Sequence, residues 1–225
     1  MANARTIRLK QIEQYLAEKG FATIPELCNV LEIHPNTARR DINELAESGI
    51  LEKKYGGVSY AHNRLPEDYY QAHANQNKQG KASIGHQTAK LLEDGDVIFV
   101  DAGSTTPTIF SNTSMLPEHL TVITNNLEVI SKVFNTTKYN IYVLPGKGDR
   151  QLNSFLGTET IDSLKTYNIQ KAFIGVKGIT AKGDMTSSSS MDAKIKSTVV
   201  DMSGTVFLLA DSGKVGKVGM INFAN

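Results

Sequence analysis

The chain of 225 residues has a single cysteine, Cys28. That excludes an internal disulfide framework, and a lone thiol beside Leu27 and close to Val30 reads as a core residue in a protein of the reducing cytoplasm. Long apolar runs are also missing. No segment approaches membrane-spanning length, and the N-terminal stretch MANARTIRLK lacks the apolar core of a secretory signal, so no membrane partner is expected. Charge of one sign is not in excess either: 24 basic and 23 acidic residues leave a formal net charge of +1. A field over the whole molecule is thereby excluded, and any affinity for an anion must come from a local patch. No Walker or Rossmann glycine pattern occurs, which argues against a nucleotide cofactor; no cofactor, metal site or catalytic residue is expected. What is present, 40% hydrophobic and 21% charged residues, is the composition of an ordinary soluble protein. The length allows one large domain, or a small one beside a medium one.

Hydrophobic periodicity organises the first sixty residues. Leu9, Ile12 and Leu16 recur at i, i+3 and i+7, which predicts a helix over residues 5–19 that stops before Gly20. In the TIPEL segment, Thr23 and Glu26 have capping-box spacing, with Pro25 in the first turn, and Leu27, Val30 and Leu31 supply an apolar stripe for a short second helix. Pro35 is placed to open a third. On that helix Ala38, Ile42, Leu45, Ala46 and Gly49 fall on one side, toward a core. Asn36, Arg40 and Asn43 project from the other, flanked by Thr37 and Arg39. Glu44 and Glu47, further along, would repel phosphates, so only the first two turns suit an anionic groove.

An Arg-Arg pair on an amphipathic helix is commonly a solvated face. Three short helices with a tight second connection, the third presenting Asn, Thr and Arg, also describe a helix-turn-helix. Arg is the side chain best fitted to guanine edges, and Asn to adenine. The next segment decides between the two. ILEKKYGGVSY reads as a strand, a Gly-Gly turn and a second strand, with Lys53 and Lys54 beside the tip, within reach of a phosphate backbone. Helix-turn-helix followed by a basic hairpin is a winged helix, with Asn36, Thr37, Arg39, Arg40, Asn43, Lys53 and Lys54 as its DNA contacts.

These residues also resemble the DNA-binding half of the DeoR family of bacterial regulators of sugar metabolism. The matching positions are Thr37, Ala38, Arg39, Arg40, Asp41, Leu45, Gly49 and Gly56-Gly57. Two departures stand out. His34 occupies the place of a common Ser cap, a change that weakens a helix cap by about 1 kcal/mol where the histidine cannot substitute. Lys53 and Lys54 stand where the family commonly has a wing arginine, which softens contacts to DNA.

Residues 59–80 are polar, rich in Asn and Gln and without sustained period, and read as a linker with a helical piece near EDYYQAH. A winged helix over 1–58 and an α/β domain over 81–225 are expected on either side. In the latter, Ile84, Ala89, Leu91 and Leu92 suggest a helix ending at EDGD. VIFVD (97–101), LTVIT (120–124), IYVLP (141–145), KAFIGV (171–176) and TVFLLAD (205–211) then alternate with helical stretches. Continuous apolar strands separated by helices predict a buried, mostly parallel sheet with helices on both faces. Ligands bind such sheets beyond the carboxyl ends of the strands. The loops there read DAGSTT, TNN, GKGDR, VKG and DSGK. DAGSTTP leads into an expected helix, whose free N–H groups would favour a phosphate or carboxylate on a small polyol.

This half resembles the effector domain of the same family, which is similar to sugar-phosphate isomerases and transferases; the segments are Lys81 with Ile84, GDVIFVDAGSTT, LTVITNN, AFIGVKGI and LLADSGKVG. The resemblance implies a phosphorylated-sugar site at Lys81, Asp101, Ser104, Thr105, Asn125, Asn126, Lys177 and Lys214, joined by Gly103, Thr106, Gly178 and Asp211 from the same loops. Departures include Lys147 and Arg150, which bear on effector choice, and the hydroxyl-rich TSSSSMDAK (186–194), which reads as a mobile flap. The family also continues with another strand–helix unit where this sequence stops at Asn225, so a truncated chain or an exposed sheet edge is expected. The implied function is that of a repressor, a homodimer or higher homo-oligomer on double-stranded operator DNA, controlled by a sugar phosphate. The alternative is an isomerase or transferase on the same scaffold, with Asp101, Asp149 and Lys214 as acid–base groups. Against it stand the missing DGAD-type acidic loop and the appended DNA reader.

Overall fold

The computed structural model describes residues 4–47, 50–60, 69–136 and 138–225. The chain divides into two compact units, Met1–Ala72 and His73–Asn225.

In the first unit, α1 (Ala4–Lys19) is followed by β1 (Phe21–Ala22), α2 (Ile24–Leu31), α3 (Pro35–Glu47), β2 (Leu51–Lys54) and β3 (Gly57–Tyr60). The capping box forms as the sequence predicts. Thr23 Oγ1 accepts from the Glu26 amide, and the Glu26 carboxylate accepts from the Thr23 amide at 2.8 Å. Lys19 at 2.8 Å and these cap bonds hold the Glu26 carboxyl down at about 2. Ile12, Leu16, Leu27, Ile42, Leu45 and Val58 form one buried core.

Several expectations need correction. Val30 is half exposed, because the turn it occupies faces outward, and Cys28 is only partly buried. Gly49 lies outside the described residues. The hairpin turn is Tyr55-Gly56, not Gly-Gly: Lys54 pairs with Gly57, and only Gly56 has a left-handed φ, +81°. Gly57 serves packing. A Cβ there would lie 2.4 Å from the Ala22 carbonyl oxygen, because β1 pairs antiparallel with β3 and gives the wing a third strand, order β1-β3-β2.

The division between the units falls within α4 (Tyr69–Asn75), and α5 (Lys78–Ala89) is the first element wholly in the second. Within the expected linker over 59–80, Ser59 and Tyr60 belong to β3, α4 lies at the helical piece expected near EDYYQAH, and residues 78–80 begin α5; positions 61–68 lie outside the described residues. Asn77, in the left-handed region, caps α5, which explains why a helix begins amid polar residues with no period. Then follow β4 (Val97–Val100), β5 (Leu120–Thr124), α6 (Leu127–Phe134), β6 (Tyr139–Val143) and the hairpin β7 (Lys147–Asp149) and β8 (Ser154–Leu156). The chain continues through α7 (Thr158–Leu164), β9 (Lys171–Gly175), β10 (Gly178–Ile179), β11 (Met185–Ser187), α8 (Ser190–Met202), β12 (Thr205–Leu209) and β13 (Ile221–Ala224).

Five of these strands form a parallel sheet in the order β12-β9-β4-β5-β6, which leaves β12 and β6 as edges. Ile98 and Val100 enter the core under α5 and α6, while Phe99 enters the one under α7 and α8. Burial on both faces is why the strand sequences are continuously apolar. The sequence pattern misses the antiparallel sheet β10-β11-β13 and the β7–β8 hairpin, whose strands are only two to four residues long.

Candidate functional site

The first candidate surface lies in the winged helix. Asn36, Arg39, Arg40 and Asn43 are exposed on α3 and Thr37 is half-buried. Arg39 and Asn43 share the lining of a groove of about 990 Å³ with Lys53 and Lys54 of the wing, His34 and the partly buried Cys28. Helix and wing thus present their polar groups to one space. The His34 imidazole replaces the missing cap, its Nδ1 accepting from the Asn36 amide at 3.2 Å. Lys54 is held by Glu52 at 2.8 Å, whereas Lys53 forms no ion pair among the described residues.

Sequence reading gave Asp41 no role beyond the motif, yet it is buried and anchors the helix. Its carboxylate accepts from Arg8 Nε at 2.5 Å and Nη2 at 3.2 Å, and raises the guanidinium pKa above its usual range. Arg5 pairs with Glu44, so one carboxylate expected to repel phosphate is neutralised from α1. A buried charge in an amphipathic helix, with arginines a turn apart upstream, was the signal available for this.

The second candidate site lies at the carboxyl ends of the parallel strands. Lys81 of α5 is buried; its Nζ donates to Ser104 Oγ at 2.9 Å and to the His73 carbonyl. Burial lowers the pKa of Lys81, the nearby Lys214 lowers it further, and Asp211 and Glu128 oppose both. Lys81, Ser104, Asp211 and Lys214 therefore converge, though they come from distant segments. The Asp211 carboxylate accepts from the Gly213 amide at 2.9 Å and so shapes the short turn that carries Lys214. Gly103 has φ +96° with open space where a Cβ would stand. DAGSTTP does not lead into an α-helix: Thr106–Ser111 is a six-residue 3-10 helix. A macrodipole argument has no basis there, so attraction for an anion rests on the side chains.

Asp101 and Asn125 lie side by side. The register pairs Val100 with Thr124, and Phe99 and Ile123 face the core under α7 and α8, so the residues two further on point to that face as well. Asp101 is fully buried. One carboxylate oxygen accepts from the Gly175 amide at 2.9 Å and lies 3.3 Å from Lys196 Nζ; the other has no hydrogen-bond partner. Burial, reinforced by Asp192, lifts its pKa to about 7 against the pull of Lys196 and two backbone amides. Asn125 donates to the Phe155 carbonyl at 2.9 Å while its Oδ1 is unpartnered.

Lys196 and Asp192 were absent from the sequence-derived set. They stand one turn apart on α8, bonded at 2.5 Å, and Asp192 also accepts from Ser187 Oγ at 2.5 Å. Burial works against the Lys196 charge, but Asp101 and Asp192 raise its pKa to about 12. An Asp and a Lys four apart within DAKIK was the available hint; the expected mobile flap over 186–194 takes in Asp192 and stops short of Lys196. That expectation fails, since Met185–Ser187 is a strand, Thr186 and Ser187 are buried, and Ser189 caps α8.

Not every expected residue faces the site. Thr106 Oγ1 donates to the Asp101 carbonyl at 2.7 Å. Asn126 donates to the Asp101 and Gly103 carbonyls and accepts from the Glu128 and Val129 amides, so its side chain is spent on holding the loop to α6. Gly178 is a packing position, 2.2 Å from the Lys217 carbonyl oxygen at an added Cβ. Thr105 and Lys177 are half-buried, and the Lys177 ammonium forms no ion pair among the described residues. Lys147 and Arg150 are exposed on the β7–β8 hairpin. Among the described residues no cluster of His, Cys, Asp and Glu could hold a metal ion, and no helix is long and apolar enough to cross a membrane.

Residues 8–64 match the DeoR-like helix-turn-helix domain, and residues 76–225 match the DeoR C terminal sensor domain. The HTH-type transcriptional regulator IolR of Bacillus subtilis (strain 168) is 32% identical over 222 residues, 98% of this chain and 87% of that protein. The glycerol-3-phosphate regulon repressor of Escherichia coli (strain K12) is 24% identical over 221 residues, again 98% and 87%. Among solved structures, ribose 5-phosphate isomerase A from Methanocaldococcus jannaschii overlaps 62% of this chain and 55% of its own, at 16% identity and a TM-score of 0.45.

Proposed function

The chain belongs to the DeoR family, and on that premise we propose that it is a transcriptional repressor of a carbohydrate-utilisation operon whose hold on operator DNA is set by a phosphorylated sugar. The observation that carries the reading is the shared groove in which Arg39 and Asn43 of α3 meet Lys53 and Lys54 of the wing. A helix in the major groove and a basic hairpin against the backbone need that common orientation. Arg40 and Asn36, exposed on the same helix, are the candidates for base edges, while Lys53 contributes a sequence-independent phosphate contact. A winged helix on its own contacts few base pairs, so a homo-oligomer on paired half-sites in the cytoplasm completes the proposal.

The effector reading rests on the opposite character of two neighbouring groups. Lys81, Ser104 and Lys214 offer donors to a phosphate. Asp101 and Asn125 offer buried oxygens without donors, which favour a ligand that brings hydroxyls. The reading is regulation rather than catalysis, in keeping with relatives that are named as regulators.

The test pairs calorimetry against a panel of sugar phosphates and their unphosphorylated forms with gel shifts on DNA retained by the purified protein. Several charge-assisted bonds of about 1.5–3 kcal/mol each predict at least roughly tenfold tighter binding of the phosphorylated form. Ser104→Glu should abolish effector binding and leave DNA binding intact. Equal affinity for both forms would defeat the phosphate assignment, and turnover of the ligand would favour an enzyme.

A further inference from the structure

The wing ends in an aromatic side chain that the fold does not use. Tyr55 is 106% exposed, the highest value among the large apolar side chains left at the surface. Its neighbours in the hairpin are placed with care. Gly56 takes a left-handed φ that closes the two-residue turn, and Gly57 admits the Ala22 carbonyl and Phe21 ring against β3. The three-stranded pairing β1-β3-β2 thus braces the hairpin up to Lys54 and Gly57, and Tyr55 is carried at the end of a rigid support. Lys53 and Lys54, just behind it, face the groove they share with Arg39 and Asn43.

We propose that Tyr55 is a minor-groove reader, entering the groove that flanks each half-site and resting its ring against the sugar walls and base edges. The inference builds on the DNA-binding reading above and adds a residue outside its set of contacts. The chemistry follows from three properties. A phenol ring held out in water gains by burial against the apolar walls of a narrow groove, its hydroxyl can donate to the adenine N3 or thymine O2 acceptors at the floor, and Lys53 behind it, which is not shared with a carboxylate as Lys54 is, neutralises a phosphate at the rim. A guanine amino group projecting into the groove would obstruct the ring. Tyr55 therefore selects A·T pairs beside the half-site, a preference that α3 in the major groove does not supply.

In vitro selection with the full-length protein supplies the probe duplex. The flanking adenines are then replaced by 2,6-diaminopurine, which adds an amino group to the minor groove and leaves the major-groove face of the pair unaltered. The wild type should lose about tenfold in affinity on the substituted duplex, and Tyr55→Ala should lose about tenfold on the unsubstituted one with no further loss on substitution. Tyr55→Phe should keep the sensitivity to the added amino group. The salt slope of Tyr55→Ala should match the wild type, since no cation is removed, and its thermal stability should be unchanged because the side chain touches nothing. If Tyr55→Ala binds both duplexes as the wild type does, the assignment is wrong while the regulator reading stands. If selection enriches no sequence at all, the DNA-binding reading itself fails.

Discussion

Replacing Lys196 with methionine tests the buried network of the sensor unit. The ammonium lies 3.3 Å from Asp101 and 2.5 Å from Asp192, and all three side chains are buried. Methionine fills the volume but leaves two carboxylates with no counter-charge. Removing one partner of a buried ion pair typically costs about 3–5 kcal/mol. For a unit of this size 1 kcal/mol moves the melting temperature by about 2–4 °C, so a fall of roughly 6–20 °C is expected at pH 8. The cost must also depend on pH, with a definite sign. Asp101 already titrates near 7, above its unfolded value of about 4. A carboxyl raised in the folded state favours folding when protonated, so its contribution declines as pH rises between those values. In the variant its pKa goes higher still, and each unit of acidification lowers the cost of taking up a proton by about 1.4 kcal/mol. Because the wild type takes up its own proton at Asp101 below about 7, the deficit should shrink by about 1.4 kcal/mol between pH 8 and pH 5, and Asp192, stranded as well, keeps the rest of it in place. Adding Asp101→Asn should recover part of it at pH 8. Scanning calorimetry of the full chain checks this, with hydrogen exchange at β4 and α8 assigning the transition. A deficit equal at both pH values, or absent at pH 8, would refute the account of a charged network.

Arg40→Ala should cost about 1–3 kcal/mol on the selected operator and flatten discrimination at one or two base pairs, as read by competition binding. Lys53→Ala should weaken all sequences alike and make the salt slope shallower by about one, because its ammonium is not shared with a carboxylate as that of Lys54 is. Arg8→Met should destabilise the winged helix by about 3 kcal/mol, at the low end for a stranded buried charge because Arg5 stands 4.0 Å from Asp41; hydrogen exchange should show the loss in α1 and α3 and not in β4 or β9. Gly57→Ala should disrupt the wing by driving a methyl group onto the Ala22 carbonyl, with loss of the β1–β3 amide protection.

Much of this was legible in the sequence because local chemistry and global fold agree. The capping box at Thr23, the periodic face of α3 and the doubly buried strands each carry a signal within ten residues. What escaped depends on pairs far apart in sequence. Arg8 and Asp41 lie thirty-three positions apart, and nothing local distinguishes Asp41 from a solvated aspartate. Lys81 and Lys214 come near each other only through the tertiary fold, one standing on α5 and the other in the turn after β12. Asn126 and Thr106 were expected to face a ligand, since a polar loop residue looks the same whether it binds a solute or its own backbone. The short strands of the β10-β11-β13 sheet carry no usable period, and the run at 186–194 reads as mobile because the Gly178 carbonyl that accepts from Thr186 lies outside it and nothing local marks Asp192 as the acceptor of Ser187.

The strand order has a consequence for synthesis. β4 sits at the centre of the sheet, with β5 and β6 on one flank and the later β9 and β12 on the other. A chain leaving the ribosome can complete the winged helix once Tyr60 has emerged, and can begin the sheet with β4, β5 and β6. Asp101 then waits for the Gly175 amide and for Lys196, which are made some 75 to 95 residues later. Until that point its carboxylate stands at an open sheet edge, able to stay ionised in water. The Asp101–Lys196 pair can form only once α8 has been made. A nascent or prematurely ended chain would therefore carry a complete winged helix and a sensor sheet whose central Asp101 still lacks its partners.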